Sequence, residues 1–192
     1  MKHRKSALRR HTVAVLIILV LSVVIGFAFS GALTLLERVT HPREYREFVE
    51  CYAAEYGVPE SIVYAVIKSE SGFDSSAVSR VGAIGLMQIM PDTFEWLTSL
   101  TGEECETGLL YDPETNIRYG TYLLSILYRS YGRWETAYAA YNAGMGNVNE
   151  WLDTPEYTDE NGVLVEIPFK ETRSYVRSVT AAREVYERLY DL

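Results

Sequence analysis

At 192 residues, 48% of them hydrophobic and 23% charged, the chain has the length of one ordinary domain and enough apolar side chains for a core. Its formal charge of −8 is unevenly spread: Lys2, Arg4, Lys5, Arg9 and Arg10 precede the first acidic residue, Glu37, and the part after Arg10 carries 13 basic against 26 acidic residues, or −13. So acidic a surface argues against nucleic acid as a partner, because affinity for phosphate backbones comes mainly from Lys and Arg.

Residues 1–11 form a basic tail, and from Thr12 to Leu36 there is no charged residue. Crossing the hydrocarbon of a bilayer takes roughly 20 apolar residues in a helix, and a preceding basic cluster stays on the cytoplasmic side. Residues 12–36 are therefore predicted to be a transmembrane signal-anchor. A linker at 37–43 then leads into an extracytoplasmic domain, 44–192, held at the cell membrane by a single pass. A cleavable signal peptide is the competing reading, because Ala28 and Ser30 stand before Gly31 as small residues a signal peptidase can read. The apolar run continues through Ala32, Leu33, Leu35 and Leu36, longer than the roughly 7–15 residues of a signal-peptide core, which favours the anchor. Either way the domain is exported. A buried core helix is disfavoured, since so long an uncharged run has no polar face.

Beyond the linker, Tyr45, Phe48, Val49, Tyr52 and Tyr56 recur at helical spacing, with Gly57 as the stop. Pro59 and Glu60 suit the first turn of a second helix that runs through Ile62, Val63, Ala65, Val66 and Ile67 to about Ser69 or Glu70. The stretch up to Met90 is rich in Gly and Ser, without helical period, and reads as a structured loop with short extended pieces walling one side of a cleft. Gly82 and Gly85 permit positive φ there. Asp92 is the expected N-cap of a helix through Phe94, Trp96, Leu97 and Leu100. Asp112-Pro113-Glu114 signals a further, central helix through Ile117, Leu123, Leu124 and Leu127 to Gly132. Trp134 to Ala143 is a short Ala-rich helix ended by Gly144, Val148 to Leu152 adds a turn or two, and Asn161-Gly162 marks a hairpin-type turn before a short strand, Val163 to Val165. A final helix is predicted from about Glu171 to Leu189. The fold class is mainly α with a minor extended element.

Cys51 and Cys105 are the only cysteines. An exported domain permits a disulfide, but spacing alone does not say whether their Cα atoms come within the roughly 4.4–6.8 Å that one needs, so bridge and free thiols both stay open. No Cys/His cluster suggests a metal, since His3 and His11 belong to the basic tail and His41 stands alone.

Glu70 carries the chemistry. A carboxylate that closes an apolar helix lies at the edge of a core, where desolvation penalises its charged form and raises its pKa, so that it can donate a proton near neutral pH. Four blocks surround it in order: Glu70-Ser71 with Ala77-Val78-Ser79; Gly82 to Pro91, containing Gly85-Leu86-Met87-Gln88-Ile89-Met90; Ala137 to Gly144, containing Ala140-Tyr141-Asn142-Ala143-Gly144; and Glu171-Thr172-Arg173-Ser174-Tyr175-Val176. In these blocks, which span most of the chain from Tyr52 to Val179, the sequence resembles the lytic transglycosylases related to the soluble transglycosylase and goose-type lysozymes.

The resemblance implies a lysozyme-like domain that acts on peptidoglycan glycan strands without a cofactor, with cell-wall synthesis or other envelope machinery as a further class of partner. Glu70 would be the acid that protonates the glycosidic oxygen between N-acetylmuramic acid and N-acetylglucosamine. The sugar's own 6-hydroxyl would then attack, with Glu70 as base, leaving a 1,6-anhydro end. Ser71, Gln88, Met90, Tyr141, Asn142, Glu171 and Tyr175 would be substrate-binding by the same resemblance. The bland readings beside these are core packing for Met87, Ile89 or Met90, a backbone tie for Asn142, and a favourable helix-start charge for Glu171. Ordinary glycosidases pair the acid with a second carboxylate. Asp74 is the nearest in sequence and reads as a turn residue. A lysozyme-type hydrolase and a non-catalytic glycan-binding scaffold are the competing functions. Phe94 and the Asp153 to Pro168 stretch depart from the family pattern.

Overall fold

The computed structural model describes the backbone from residue 2 to residue 192 and the side chains from Leu19 onward. The chain divides into two units, one ending at Pro42 and the other Arg43–Leu192. The first is a single helix, α1 (Lys2–Thr40), whose stretch Leu19–Thr40 has a mean hydropathy of 2.3 and no buried side chain. Twenty-two residues at about 1.5 Å each are long enough to cross a bilayer. The side chains of the basic tail and of residues 12–18 lie outside the described residues. The helix runs through Arg38 to Thr40, taking in residues that composition alone reads as linker.

In the second unit, α2 (Arg46–Tyr56) ends at Gly57 as the periodicity predicts, and α3 (Glu60–Glu70) follows Pro59. Every residue from Ser61 to Ile67 is buried, and a helix enclosed on all sides belongs at the centre of a domain. It packs against α2 and against the last helix, α8 (Lys170–Tyr190). The long helix α5 (Pro113–Tyr131) also has the central position expected of it, touching α2, α4 (Pro91–Thr101) and α6 (Trp134–Ala143). Its cap is the predicted one: the Asp112 carboxylate accepts the Thr115 amide at 2.8 Å.

Three local expectations change. Helix α4 starts at Pro91, not after Asp92. Proline lacks the N–H that the first turn cannot use and has its φ already set for a helix, so Met90 becomes the N-cap and Asp92 a first-turn acid. The five-residue 3-10 turn Thr107–Tyr111, too short to show a period, had no signal in the sequence. The turn before Val163 forms, with the Asp159 carboxylate accepting the amides of Asn161 and Val163 at 2.9 Å each, but only one antiparallel bridge, Thr158 to Leu164, follows it. A turn held by its own side chain does not need a ladder, and Val163 to Val165 are not a strand.

Helix α7 (Met145–Leu152) continues from α6 after Gly144. Arg43 opens the unit as a clamp: it pairs with Glu60 at 3.0 Å and Glu50 at 3.5 Å, and lies over the rings of Tyr64 and Tyr190. Cys51 is exposed and Cys105 partly buried, and both are free thiols. Phe94, noted as a departure from the family pattern, is fully buried edge-on against Tyr119 and belongs to the core.

Candidate active site

Glu70 is the last residue of α3 and is partly buried. Burial pushes its carboxyl up to about 7, against a smaller downward pull from the Tyr175 hydroxyl. A carboxyl so placed is protonated often enough at neutral pH to serve as an acid, and its anion is basic enough to take a proton back.

The loop from Ser71 to Met90 is folded around this residue. Ile84 bridges to both Val78 and Ile89, giving the short extended pieces that composition suggested. The Ser71 hydroxyl donates to the Leu86 carbonyl at 2.8 Å and accepts the Phe73 amide at 3.1 Å. It is thus a tie between the end of α3 and the loop. Gln88 adopts φ 49° and its amide nitrogen donates to the carbonyls of Gly85 at 2.9 Å and Ala77 at 3.1 Å. A non-glycine residue in the left-handed region is strained, and these two bonds hold it there, leaving its Oε1 as the group a ligand can meet. Met87 and Ile89 are buried, in line with the packing reading, whereas Met90 is 37% exposed at the start of α4, where an apolar ligand contact is available.

One residue of this site was missed. Asn116 of α5 is buried, accepts the Met87 amide at 2.7 Å, and donates to the carbonyls of Leu110 at 2.7 Å and Ile84 at 2.9 Å. Gly85, at φ 79°, sits so close that a Cβ there would collide with the Asn116 amide and the Leu110 carbonyl. A signal was present: Asn116, Gly120, Leu123 and Leu127 fall on one helical stripe, and a polar residue on an apolar stripe must find partners.

From the other side, the Tyr141 hydroxyl of α6 donates to the Met87 carbonyl at 2.7 Å. Burial, and then the negative charge of Glu70, push the Tyr141 phenol well up, so it keeps its proton. The same two causes act on Tyr175 of α8. Its hydroxyl is buried and forms no hydrogen bond. Asn142 is tied to the start of α8, its Oδ1 accepting from the Thr172 hydroxyl at 2.8 Å. Glu171 is exposed and lines, with Asn142 and Phe169, a cleft of about 580 Å³. A second cleft of about 270 Å³ lies along Trp96, Leu123, Tyr141 and Met145. Tyr141 and Asn142 therefore stand side by side with a cleft at each, and Glu171 is one helical turn from Tyr175.

The sequence matches the family model of the transglycosylase SLT domain over residues 47–163. It is 39% identical over 150 residues to the soluble lytic murein transglycosylase of Escherichia coli (strain K12), covering 76% of this chain and 23% of that protein. It is 32% identical over 174 residues to the membrane-bound lytic murein transglycosylase C of Yersinia pestis (strain Pestoides F), covering 76% and 47%. Among solved structures it is similar to an inactive mutant of lytic transglycosylase Slt from Pseudomonas aeruginosa, with a TM-score of 0.73, 34% identity, and coverage of 80% of this chain and 25% of that one. The 70 kDa soluble lytic transglycosylase of Escherichia coli gives a TM-score of 0.72 at 35% identity, covering 79% and 25%. The chain thus spans about a quarter of the length of the soluble relatives it matches, and the fold class is lysozyme-like and mainly helical, as expected.

Proposed function

The chain belongs to the transglycosylase SLT family, and we propose that it is a membrane-anchored peptidoglycan lytic transglycosylase in which Glu70 is first acid and then base. The observation that carries this reading is the partly buried carboxyl of Glu70 at the end of α3, pushed up to about 7 by burial. Asp74 is exposed and engaged in its own turn, accepting from the Ser76 amide at 2.9 Å and hydroxyl at 2.7 Å. Glu171 opens onto the larger cleft. A glycosidase that activates water or forms a glycosyl-enzyme needs a second carboxylate about 5–9.5 Å from the first. A lytic transglycosylase does not.

In the proposed reaction the Glu70 proton passes to the glycosidic oxygen between N-acetylmuramic acid and N-acetylglucosamine as the bond to the anomeric carbon breaks, the electron pair leaving with that oxygen. The 6-hydroxyl then bonds to the anomeric carbon and returns its proton to the Glu70 carboxylate. No water is consumed, and the product is a 1,6-anhydro-N-acetylmuramyl end. Met90 and the Gln88 Oε1 supply one apolar and one polar contact at the loop. Asn142, Glu171 and the second cleft extend the groove.

The apolar stretch Leu19–Thr40 supports anchoring in a single pass, as does the similarity to a membrane-bound lytic murein transglycosylase. The basic tail then faces the cytoplasm and the catalytic unit the wall. Exposed Cys51 offers a test of that orientation, because a membrane-impermeant maleimide should label it in intact cells.

The activity is tested by mass spectrometry of fragments released from purified peptidoglycan by the full chain in detergent, beside its Glu70→Gln variant. Anhydro-muramyl ends that vanish in the variant are expected. Products heavier by one water would make the protein a muramidase, and no products from folded protein would leave the glycan-binding scaffold.

A further inference from the structure

We infer that Phe73 is a positioning residue: its buried ring pins the turn that follows α3, and the turn holds Glu70 on one side and the Gln88 side chain on the other. This rests on the reading of Glu70 as the acid and of Gln88 as a ligand contact. Phe73 adopts φ 74° directly after Gly72 at φ 61°, so two successive residues in the left-handed region reverse the chain just past the acid. Glycine takes that conformation without steric cost, and an aromatic residue does not. What holds Phe73 there is its side chain, which is 7% exposed and packs, at 6.5 Å between ring centroids, against Tyr64, a fully buried residue of α3. Tyr64 in turn stacks on Tyr186 of α8 at 5.3 Å. The ring is thus seated against a side chain that two helices fix, and burial of a phenyl group outweighs the strain of one such backbone.

Two hydrogen-bond paths start at this turn. On one side the Phe73 amide donates to the Ser71 hydroxyl oxygen at 3.1 Å, and that hydroxyl's own proton goes to the Leu86 carbonyl at 2.8 Å. The residue beside Glu70 is therefore fixed between the turn and the loop. On the other side the Asp74 amide donates to the Ser71 carbonyl at 3.3 Å, and the Ala77 amide to the Asp74 carbonyl at 3.3 Å. The Ala77 carbonyl then accepts the Gly85 amide at 2.9 Å and the Gln88 side-chain amide at 3.1 Å. The orientation of Gln88, and with it the direction of its Oε1, depends on where Ala77 lies, and Ala77 lies where the turn at Phe73 puts it. The acid and the polar contact come from opposite ends of the loop and share one apolar pin. A substrate that must meet both is served by that pin, although Phe73 carries no reactive group itself.

The test separates the ring from the backbone. Phe73→Gly relieves the left-handed strain and removes the pin, whereas Phe73→Leu keeps apolar bulk. By NMR of the full chain in detergent, the Gly85 amide should exchange with solvent about tenfold faster in Phe73→Gly, with the amides of α5 unchanged, and Phe73→Leu should restore most of the protection. On purified peptidoglycan, kcat/KM should fall about thirtyfold in Phe73→Gly and less than about threefold in Phe73→Leu. Gln88→Gly accepts φ 49° and carries no side-chain amide. In that background Phe73→Gly should lower kcat/KM only about fivefold further, because one of its two paths is already gone. An unmoved Gly85 amide overturns the assignment, and so does a loss in Phe73→Gly that is the same with and without Gln88. Should Phe73→Gly not fold, the wild type decides: in dilute urea the Phe73 and Gly85 amides must open in one step with the same dependence on urea, and independent opening overturns the assignment equally. The exchange measurements need no substrate, so they stand apart from any failure of the proposed activity.

Discussion

The Ser71 hydroxyl donates to the Leu86 carbonyl at 2.8 Å, and through that bond the residue following the acid is fastened to the far wall of the loop. Replacing it, Ser71→Ala, removes the tie and strands a carbonyl. Stability in urea should fall by about 1–2 kcal/mol. The kinetic mark of a tie is a lower kcat at nearly constant KM, since the acid is less well held. If KM rises while kcat stays put, Ser71 contacts substrate after all.

Asn116→Ala should be more damaging. One side chain serves the Met87 amide and the carbonyls of Ile84 and Leu110, and its removal leaves the Met87 amide and the Leu110 carbonyl without partners, while the Ile84 carbonyl keeps the Ile89 amide at 3.0 Å. Two such vacancies amount to about 2 kcal/mol or more. Denaturant unfolding followed by circular dichroism measures this, and a loss below about 1 kcal/mol would show that the loop holds itself.

Glu70 makes stability fall with pH. Its folded-state pKa of about 7 lies above the ordinary glutamate value of 4.5, so the folded protein binds more protons than the unfolded chain between those two values. The stability from this group is fully present below about 4.5 and is lost as pH rises to about 7, after which the loss is constant. Glu70→Gln carries no such charge. It should melt above the wild type at pH 8, by roughly a few degrees, with the difference closing toward pH 4.5. Parallel melting curves across that range would refute the burial of the charge.

Trp96 is 39% exposed and lines the smaller cleft. If glycan runs along that wall, Trp96→Ala should raise KM roughly tenfold, equivalent to about 1.4 kcal/mol of contact, and leave the pH profile of kcat alone. An unchanged KM would move the glycan path to the cleft at Glu171.

Much of this was legible in the chain. The helix ends at Gly57 and Gly132, the cap at Asp112 and the place of Glu70 all follow from local rules that act within a turn or two. What escaped is what crosses the fold. Nothing near Ser71 in sequence says that its hydroxyl finds Leu86, and nothing near Asn116 says that a loop thirty residues away will need it. Tyr141 is assigned to the site by resemblance to the family, but the direction of its hydroxyl's bond depends on the Met87 carbonyl lying opposite. The short 3-10 turn was invisible because five residues cannot display a period.

Met87 has its amide claimed by Asn116 and its carbonyl by Tyr141, while its side chain fills the hollow over Gly120, where any Cβ would strike it. Its chemical duties therefore fall on backbone atoms, which every residue but proline possesses. Over evolutionary time position 87 should drift freely among side chains of suitable bulk and shape, while Asn116, Gly120 and Tyr141 around it stay put.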